Sequence, residues 1–279
     1  MVETLATVAR DTLDLCSGFL PHLFSTPADD KLGSTGDWPL IFTYNALLRR
    51  VATLVLPLLY RGNALTCPCC ERSFRKFIRR YQEDTLCPGC LSLRRHRLLL
   101  LYLLAETRIT SRGLAVLHLA PEEGLQARLS AIVGPGYVSM DAHSASIAMV
   151  TGDITAIPFD AESFDLVICS HVLEHVMDDR KAMRELFRVL RPGGKALLLQ
   201  PVHDELPMTI EDPTVTSPRE RLQVFGQRDH VRIYGRDFVP RLEEAGFAVT
   251  TVDYVTQLDP DVIARYSLGR ELMYVAAKP

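Results

Sequence analysis

The chain has little that would carry it into or across a membrane. None of its 279 residues form an uninterrupted apolar run of spanning length. The nearest approach, 40–60, is broken by Asn45, Arg49, Arg50 and Pro57, whereas a spanning helix needs about 20 mostly apolar residues. The first residues also lack a basic stretch leading into an apolar core, because Glu3, Arg10, Asp11 and Asp14 interrupt them. These features predict a cytoplasmic protein with no export signal. Charge imbalance is small, with a net of −3, and 47% of residues are hydrophobic. That excludes a disordered polyelectrolyte and is enough for one large α/β domain with a smaller accessory region. Lysine is scarce, five against 26 arginines, the bias of a GC-rich bacterial coding sequence.

Cysteine is also sparse, but it is concentrated. Of seven, five lie within 67–90, while Cys16 and Cys169 stand alone in apolar surroundings. This is not the even scatter of a secreted disulfide scaffold and fits a reducing compartment. Cys67-Pro68-Cys69-Cys70 and Cys87-Pro88-Gly89-Cys90 are separated by sixteen residues, the spacing of a zinc ribbon. Cys67, Cys70, Cys87 and Cys90 are the expected ligands of a structural zinc ion, with Cys69 a spare thiol that could replace Cys70. Four thiolates close the coordination sphere, so the metal would fold the region rather than do chemistry. Gly89 is expected to take a positive φ in the second turn.

The same region is basic. Between 61 and 97, nine residues (Arg61, Arg72, Arg75, Lys76, Arg79, Arg80, Arg94, Arg95 and Arg97) face only Glu71, Glu83 and Asp84, a net of +6 that leaves −9 elsewhere. Such a cluster either neutralises nucleic-acid phosphates or is a solvated face. Arg72, Arg75, Arg79 and Arg80 fall at helical spacing beside Phe74, Phe77 and Tyr81. Ahead of the ribbon, 3–24 and 38–60 suggest helices joined by a turn-rich linker, 25–37. They either roof a substrate pocket or pack on the domain or on a second subunit, which would make a homodimer. The predicted division is a helical region at 1–62, the ribbon at 63–92 and an α/β domain at 93–279.

The α/β domain is organised around 152–200. Phe164, Leu166, Val167, Ile168 and Cys169 form the near-continuous apolar run of a strand covered on both faces. Met183, Leu186, Phe187 and Leu190 recur at helical spacing until Pro192-Gly193-Gly194, and 196–199 resume a strand. Further strands are expected at 114–119, 137–140, 247–254 and 272–277, with helices over 93–105 and 237–245. Open α/β sheets place their ligands at the carboxyl ends of strands, so 170–176 is the predicted polar edge.

Gly152-Asp153 ahead of the strand, Phe164-Asp165-Leu166-Val167 opening it, Leu173-Glu174-His175 closing it and Arg191-Pro192-Gly193-Gly194 after the helix together resemble the class I methyltransferases that use S-adenosylmethionine, over roughly 113–279. The resemblance implies a Rossmann-like sheet of seven strands, one more than the six placed above; the seventh is expected in the long connection 201–234. It also implies cofactor residues. Family members follow the first strand with Gly-x-Gly-x-Gly, so that backbone amides can approach the donor. Here Ala120, Glu122 and Gly124 stand in register, and His118 occupies a position that is commonly acidic. Asp141 would accept the ribose hydroxyls, Asp153 the adenine amino group and the Ile154 amide would reach a ring nitrogen, with Ser170 a neighbour.

His171, Glu174 and His175 are the candidate catalytic residues. Their spacing admits a general base, a divalent-metal site of two imidazoles and a carboxylate, or structural bonding to a neighbouring loop. The 201–234 connection is long enough to be a substrate loop, with His203, Asp229, His230, Arg232 and Tyr234 as its candidates. The expected activity is methyl transfer from S-adenosylmethionine to an oxygen or nitrogen of a small molecule in bacterial metabolism, with no membrane partner. The alternatives are an RNA base methyltransferase whose zinc ribbon holds RNA, and a catalytically silent scaffold that keeps the fold.

Overall fold

A computed structural model of the chain describes residues 53–79, 84–142 and 147–279. The helices expected at 3–24 and over most of 38–60 lie outside these residues; 53–59 are helical.

Two short hairpins follow. β1 (Arg61–Thr66) pairs antiparallel with β2 (Ser73–Phe74), and β3 (Ile78–Arg79) pairs antiparallel with β4 (Thr85–Leu86). The basic residues 72–79 therefore lie on strands and turns, not on the helix their spacing suggested. One Cys-x-x-Cys turn joins β1 to β2 and the other follows β4, and both are closed in the same way. Glu71 N–H donates to Cys67 O and Cys67 N–H to Arg72 O; Leu91 N–H donates to Cys87 O and Cys87 N–H to Ser92 O. The positive φ in each turn falls on Glu71 (58°) and Leu91 (60°), not on Gly89. Gly89 is small for another reason: a Cβ there would lie 2.8 Å from the Phe74 ring and 3.2 Å from Cys70 Sγ.

α1 (Arg94–Glu106) buries Leu98, Leu99, Leu100 and Leu103 completely and feeds β5 (Val116–Leu119). There follow α2 (Glu123–Val133), β6 (Tyr137–Asp141), β7 (Val150–Thr151), β8 (Phe164–Ser170), α3 (Asp179–Val189) and β9 (Leu190–Leu199). Asp178 caps α3 by accepting the Lys181 N–H at 2.9 Å. Arg191-Pro192-Gly193-Gly194 does not form a loop. The chain turns directly from α3 into β9, and Gly193, at φ 77°, lets the strand continue while its N–H donates to Lys278 O.

β10 (Ile210–Glu211), α4 (Pro218–Phe225), β11 (Arg232–Ile233), α5 (Phe238–Glu244), β12 (Ala248–Val252), α6 (Pro260–Tyr266) and β13 (Met273–Ala277) complete the chain. Seven strands form one sheet in the order β12-β13-β9-β8-β5-β6-β7, in which β13 runs antiparallel to both neighbours. The strand missing from the sequence reading is β7, two residues between Asp141 and Gly152. The 201–234 connection contributes none to the large sheet. It carries instead α4 and the separate antiparallel pair β10–β11.

One apolar layer covers each face. On one side α3 and α5 pack through Ala182, Met183, Leu186, Phe238 and Leu242. On the other, α1 packs together with the ribbon, so Cys67, Phe74, Phe77 and Cys87 share a core with Leu166, Ile168, Leu197 and Leu199 of the sheet. Arg97 fixes this union. Its buried guanidinium donates to the carbonyls of Thr85 (3.2 Å) and Ser92 (2.8 Å) in the ribbon and of Tyr266 and Ser267 (both 2.8 Å) in the α/β domain. A fifth bond reaches Thr85 Oγ1 at 2.7 Å, so all five guanidinium donors are used. Arg97 is therefore a core residue and no part of a basic face. Arg61, Arg72, Arg75, Lys76 and Arg79 remain exposed.

Candidate active site

Strand register brings the cofactor candidates together. Leu119 of β5 pairs with Met140 of β6 on one side and with Cys169 of β8 on the other. The next residue of each strand, Ala120, Asp141 and Ser170, therefore stands in one row at the carboxyl edge. The row lies where the strand order reverses between β5 and β8, the place at which open α/β sheets form a ligand crevice. Gly152 N–H donates to Asp141 O at 3.0 Å, which sets the Gly152-Asp153-Ile154 segment beside the row. Asp153 turns one carboxylate oxygen onto the Thr155 N–H at 2.8 Å, capping a short 3-10 turn in which Ile154 is buried. Ser170 Oγ and, at the end of β9, Gln200 Nε2 are buried with no hydrogen-bond partner. Buried polar atoms are seldom left unpaired, so this edge is chemically suited to a polar ligand such as the adenosine end of S-adenosylmethionine.

The loop after β5 is built differently from a glycine-rich one. Ala120 adopts φ 46°, the left-handed conformation that glycine would take without strain. The Glu122 carboxylate occupies the middle of the loop, with Oε1 2.9 Å from His96 Nε2 and Oε2 3.5 Å from His118 Nε2. His118 is fully buried on β5, its Nδ1 2.7 Å from the Tyr137 hydroxyl. Burial lowers the proton affinity of His96, and Leu93 N–H donates to its Nδ1 at 3.2 Å, leaving Nε2 as the protonated nitrogen that faces Glu122. Burial opposes the charge of Glu122, but His96 and His118 hold its carboxyl well below the usual range. Gly124 is required by the ribbon: a Cβ at this position would lie 2.6 Å from Cys90 O.

At the end of β8, His171 takes φ 53° and 173–175 form a 3-10 turn. His171 lies between two carboxylates, its Nδ1 3.3 Å from Glu174 Oε1 and its Nε2 3.0 Å from Glu271 Oε1. Burial works against a charge on this imidazole, yet the two carboxylates raise its proton affinity above the ordinary value. His171 is thus a counter-ion. His175 has 34% of its side chain exposed and turns Nδ1 towards Asp229, 3.3 Å from the carbonyl and 3.4 Å from Oδ2. Its ring stands edge-on to that of His230 at 4.8 Å. His230 is buried, and burial lowers its proton affinity.

The substrate-loop candidates separate into two groups. Asp229 and His230 reach the 171–175 turn. His203 is exposed and pairs with Glu205 at 2.8 Å. Arg232 and Tyr234 are buried framework residues. The Arg232 guanidinium donates to the carbonyls of Leu173, Val176 and Met177 and pairs with Glu211 at 3.0 Å. Tyr234 donates to Asp179 Oδ2 at 2.8 Å, and Arg241 reaches the same oxygen at 3.0 Å. These bonds tie 201–241 to the start of α3. His96, Glu271 and Gln200 were not singled out in the sequence, since each lies far along the chain from the residues it joins. Two clefts, of about 130 Å³ beside Val202, Asp204 and Tyr274 and about 350 Å³ along α2 at Gln126, lie apart from the row at the carboxyl edge.

In the ribbon, the Sγ atoms of Cys67, Cys70, Cys87 and Cys90 all lie within 4.8 Å of one another. Cys67 and Cys90 approach to 3.6 Å and Cys70 and Cys87 to 3.7 Å, close to the spacing of thiolates around one tetrahedral zinc ion. Cys69 is buried but outside this group, so Cys70 completes the set that could hold zinc.

Residues 125–198 match the family described as "Methyltransferase domain". An uncharacterized 37.1 kDa protein in transposon TN4556 of Streptomyces fradiae is 33% identical over 119 residues, 43% of this chain and 34% of that protein. The ubiquinone/menaquinone biosynthesis C-methyltransferase UbiE of Pasteurella multocida is 42% identical over 64 residues, 22% of this chain and 24% of that enzyme. The chain thus spans about a third and a quarter of the length of these two relatives. Among solved structures, a Haloferax volcanii complex of the Trm112 methyltransferase activator with a methyltransferase matches at a TM-score of 0.46 and 17% identity, covering 66% of this chain and 91% of that one. Among the described residues no helix is long and apolar enough to cross a membrane. The chain has a seven-stranded α/β fold, and residues 125–198 within it are similar to the family described as a methyltransferase domain.

Proposed function

We propose that this chain transfers a methyl group from S-adenosylmethionine to an oxygen or nitrogen of a small-molecule acceptor. The observation that carries the reading is the row Ala120, Asp141 and Ser170 at the carboxyl edge of β5, β6 and β8, with Asp153 beside it. In this reading Asp141 accepts the ribose hydroxyls, Asp153 the adenine amino group, the Ile154 amide faces the ring, and the unpartnered Ser170 hydroxyl gains a partner. Glu122, held by His96 and His118, is an anion at the loop that meets the methionine end, suited to its ammonium group. The bound donor supplies an electrophilic sulfonium methyl, and the chain's task is to align the acceptor with it. His175, oriented by Asp229, is the group best suited to take a proton from the acceptor; His171, with both ring nitrogens engaged by Glu174 and Glu271, is not. The relatives named as ubiquinone/menaquinone enzymes are C-methyltransferases, which makes carbon the competing acceptor atom. Zinc in the ribbon has a structural role.

RNA is the second reading, favoured by exposed Arg72, Arg75, Lys76 and Arg79 on the ribbon. Supplying a methyl-labelled donor to a cell extract separated into small-molecule and RNA fractions tests both. Label in the small molecules is expected. Label in RNA, with binding that weakens steeply with salt, would transfer the assignment to the alternative. No labelled product in either fraction would leave the scaffold reading.

A further inference from the structure

Glu174 is buried to 1% exposure, and neither carboxylate oxygen has a hydrogen-bond partner. A bare carboxylate in that position costs several kcal/mol. His171 compensates in part, but its positive charge is shared with Glu271. Asp229 adds a third carboxylate at the same turn. Glu174 and Glu271 therefore share the His171 imidazole, with Asp229 against neighbouring His175 and Arg95 the further cation acting on His171. The local charge leaves room for a cation.

We propose that Glu174, His175 and His230 bind one divalent transition-metal ion. One ligand atom from each residue lies within 4.8 Å of the others, and binding would draw them to the roughly 3 Å separation of donors around an ion with bonds of about 2.0–2.2 Å. The backbone holds the two segments together. Val231 N–H donates to Glu174 O at 2.9 Å, while Arg232 grips the carbonyls of Leu173, Val176 and Met177. Asp229 takes Nδ1 of His175 and leaves Nε2 for a metal, the usual way in which an outer carboxylate orients a ligating imidazole. Two imidazoles and one carboxylate suit Zn²⁺, Fe²⁺, Mn²⁺ or Co²⁺ rather than the all-oxygen preference of Mg²⁺ or Ca²⁺. Three protein ligands leave positions open. An acceptor hydroxyl bound there would lose its proton more readily, with His175 then a ligand and not the base; this last step rests on the methyl-transfer reading, whereas metal binding does not.

The test is a titration of the full chain, its ribbon loaded with zinc, with Co²⁺ followed by absorption and by metal analysis. The expected result is one further equivalent, with the spectrum of nitrogen and oxygen ligation and no sulfur-to-cobalt charge transfer, while ribbon zinc stays bound. His230→Gln and Glu174→Gln should each weaken uptake at least tenfold. Because those two positions are buried, His175→Gln at the partly exposed position is the variant certain to report on ligation without refolding effects, and it should weaken uptake equally. No further equivalent up to millimolar Co²⁺, or equal uptake by wild type and His175→Gln, would overturn the proposal. Titrating the same samples with S-adenosylhomocysteine reads the donor site separately, so failure of one assignment does not pass for failure of the other.

Discussion

Glu122 places a carboxylate in the middle of the loop after β5, and its cost there is met by His96 and His118. The consequence is a pH dependence with a definite sign. Folding lowers the proton affinity of Glu122 well below 4.5 and that of His96 below 6.5, so the unfolded chain binds protons more readily at both groups. Their stabilisation is complete at neutral pH; the His96 part is lost as pH falls below about 6.5 and the Glu122 part below about 4.5. Glu122→Gln should be less stable than wild type at pH 7 in urea unfolding, and the gap should narrow in the acid range. A gap that stays constant into that range would show that Glu122 is not an ion held by these histidines. The site was only partly legible at this scale. Asp141 ends a strand that the apolar pattern shows, and Asp153 belongs to the Gly152-Asp153 pair ahead of β8, so both could be placed from local sequence. Glu122 takes its character from His96, twenty-six positions earlier, and Glu174 meets His230 only because Arg232 draws 228–234 onto the turn. Polar pairing between distant segments leaves no periodic trace in a sequence, whereas burial of a strand does.

Ribbon and cofactor loop are joined at Gly124 in the first turn of α2. Alanine is ordinarily the better helix former by about 1 kcal/mol. Here the added Cβ would meet Cys90 O at 2.6 Å, a backbone atom that moves only with the metal-binding turn, and overpacking of this kind costs about 1–3 kcal/mol. The clash should win. Gly124→Ala is expected to lower the thermal midpoint by a few degrees and to speed zinc loss to a chelator; a midpoint equal to or above wild type would mean the ribbon does not press on this loop. The apolar runs of β5, β8, β9 and β13 were legible because a strand buried on both faces is nearly all apolar. β7 was not, since two residues carry no period. Arg191-Pro192-Gly193-Gly194 has the composition of a stop, but it forms a bulge within β9, with Gly193 at φ 77° and its N–H donating to Lys278 O. The basic spacing at 72–80 imitates a helix, yet 73–74 and 78–79 pair as strands in the two hairpins that carry the Cys-x-x-Cys turns.

Ribbon and sheet share one core through Cys67, Phe74, Phe77 and Cys87, with Arg97 bonded to both. The boundary expected at residues 92–93 is therefore a change of local architecture rather than a break between independent cores. The ribbon stands over the loop that follows β5, with Cys90 against Gly124, so a metal held by the ribbon would support the proposed donor site. The central claim is that the row at the carboxyl edge holds the donor. Calorimetric titration of the zinc-loaded chain with S-adenosylhomocysteine, alongside Asp141→Ala and Asp153→Ala, tests it most directly. Loss of one charge-assisted hydrogen bond is worth about 1.5–3 kcal/mol, or roughly tenfold to a hundredfold in affinity. The account predicts micromolar binding by wild type, weakened by that factor in each variant. A folded wild-type chain that releases no heat and binds no S-adenosylhomocysteine, or variants that bind as tightly as wild type, would contradict it.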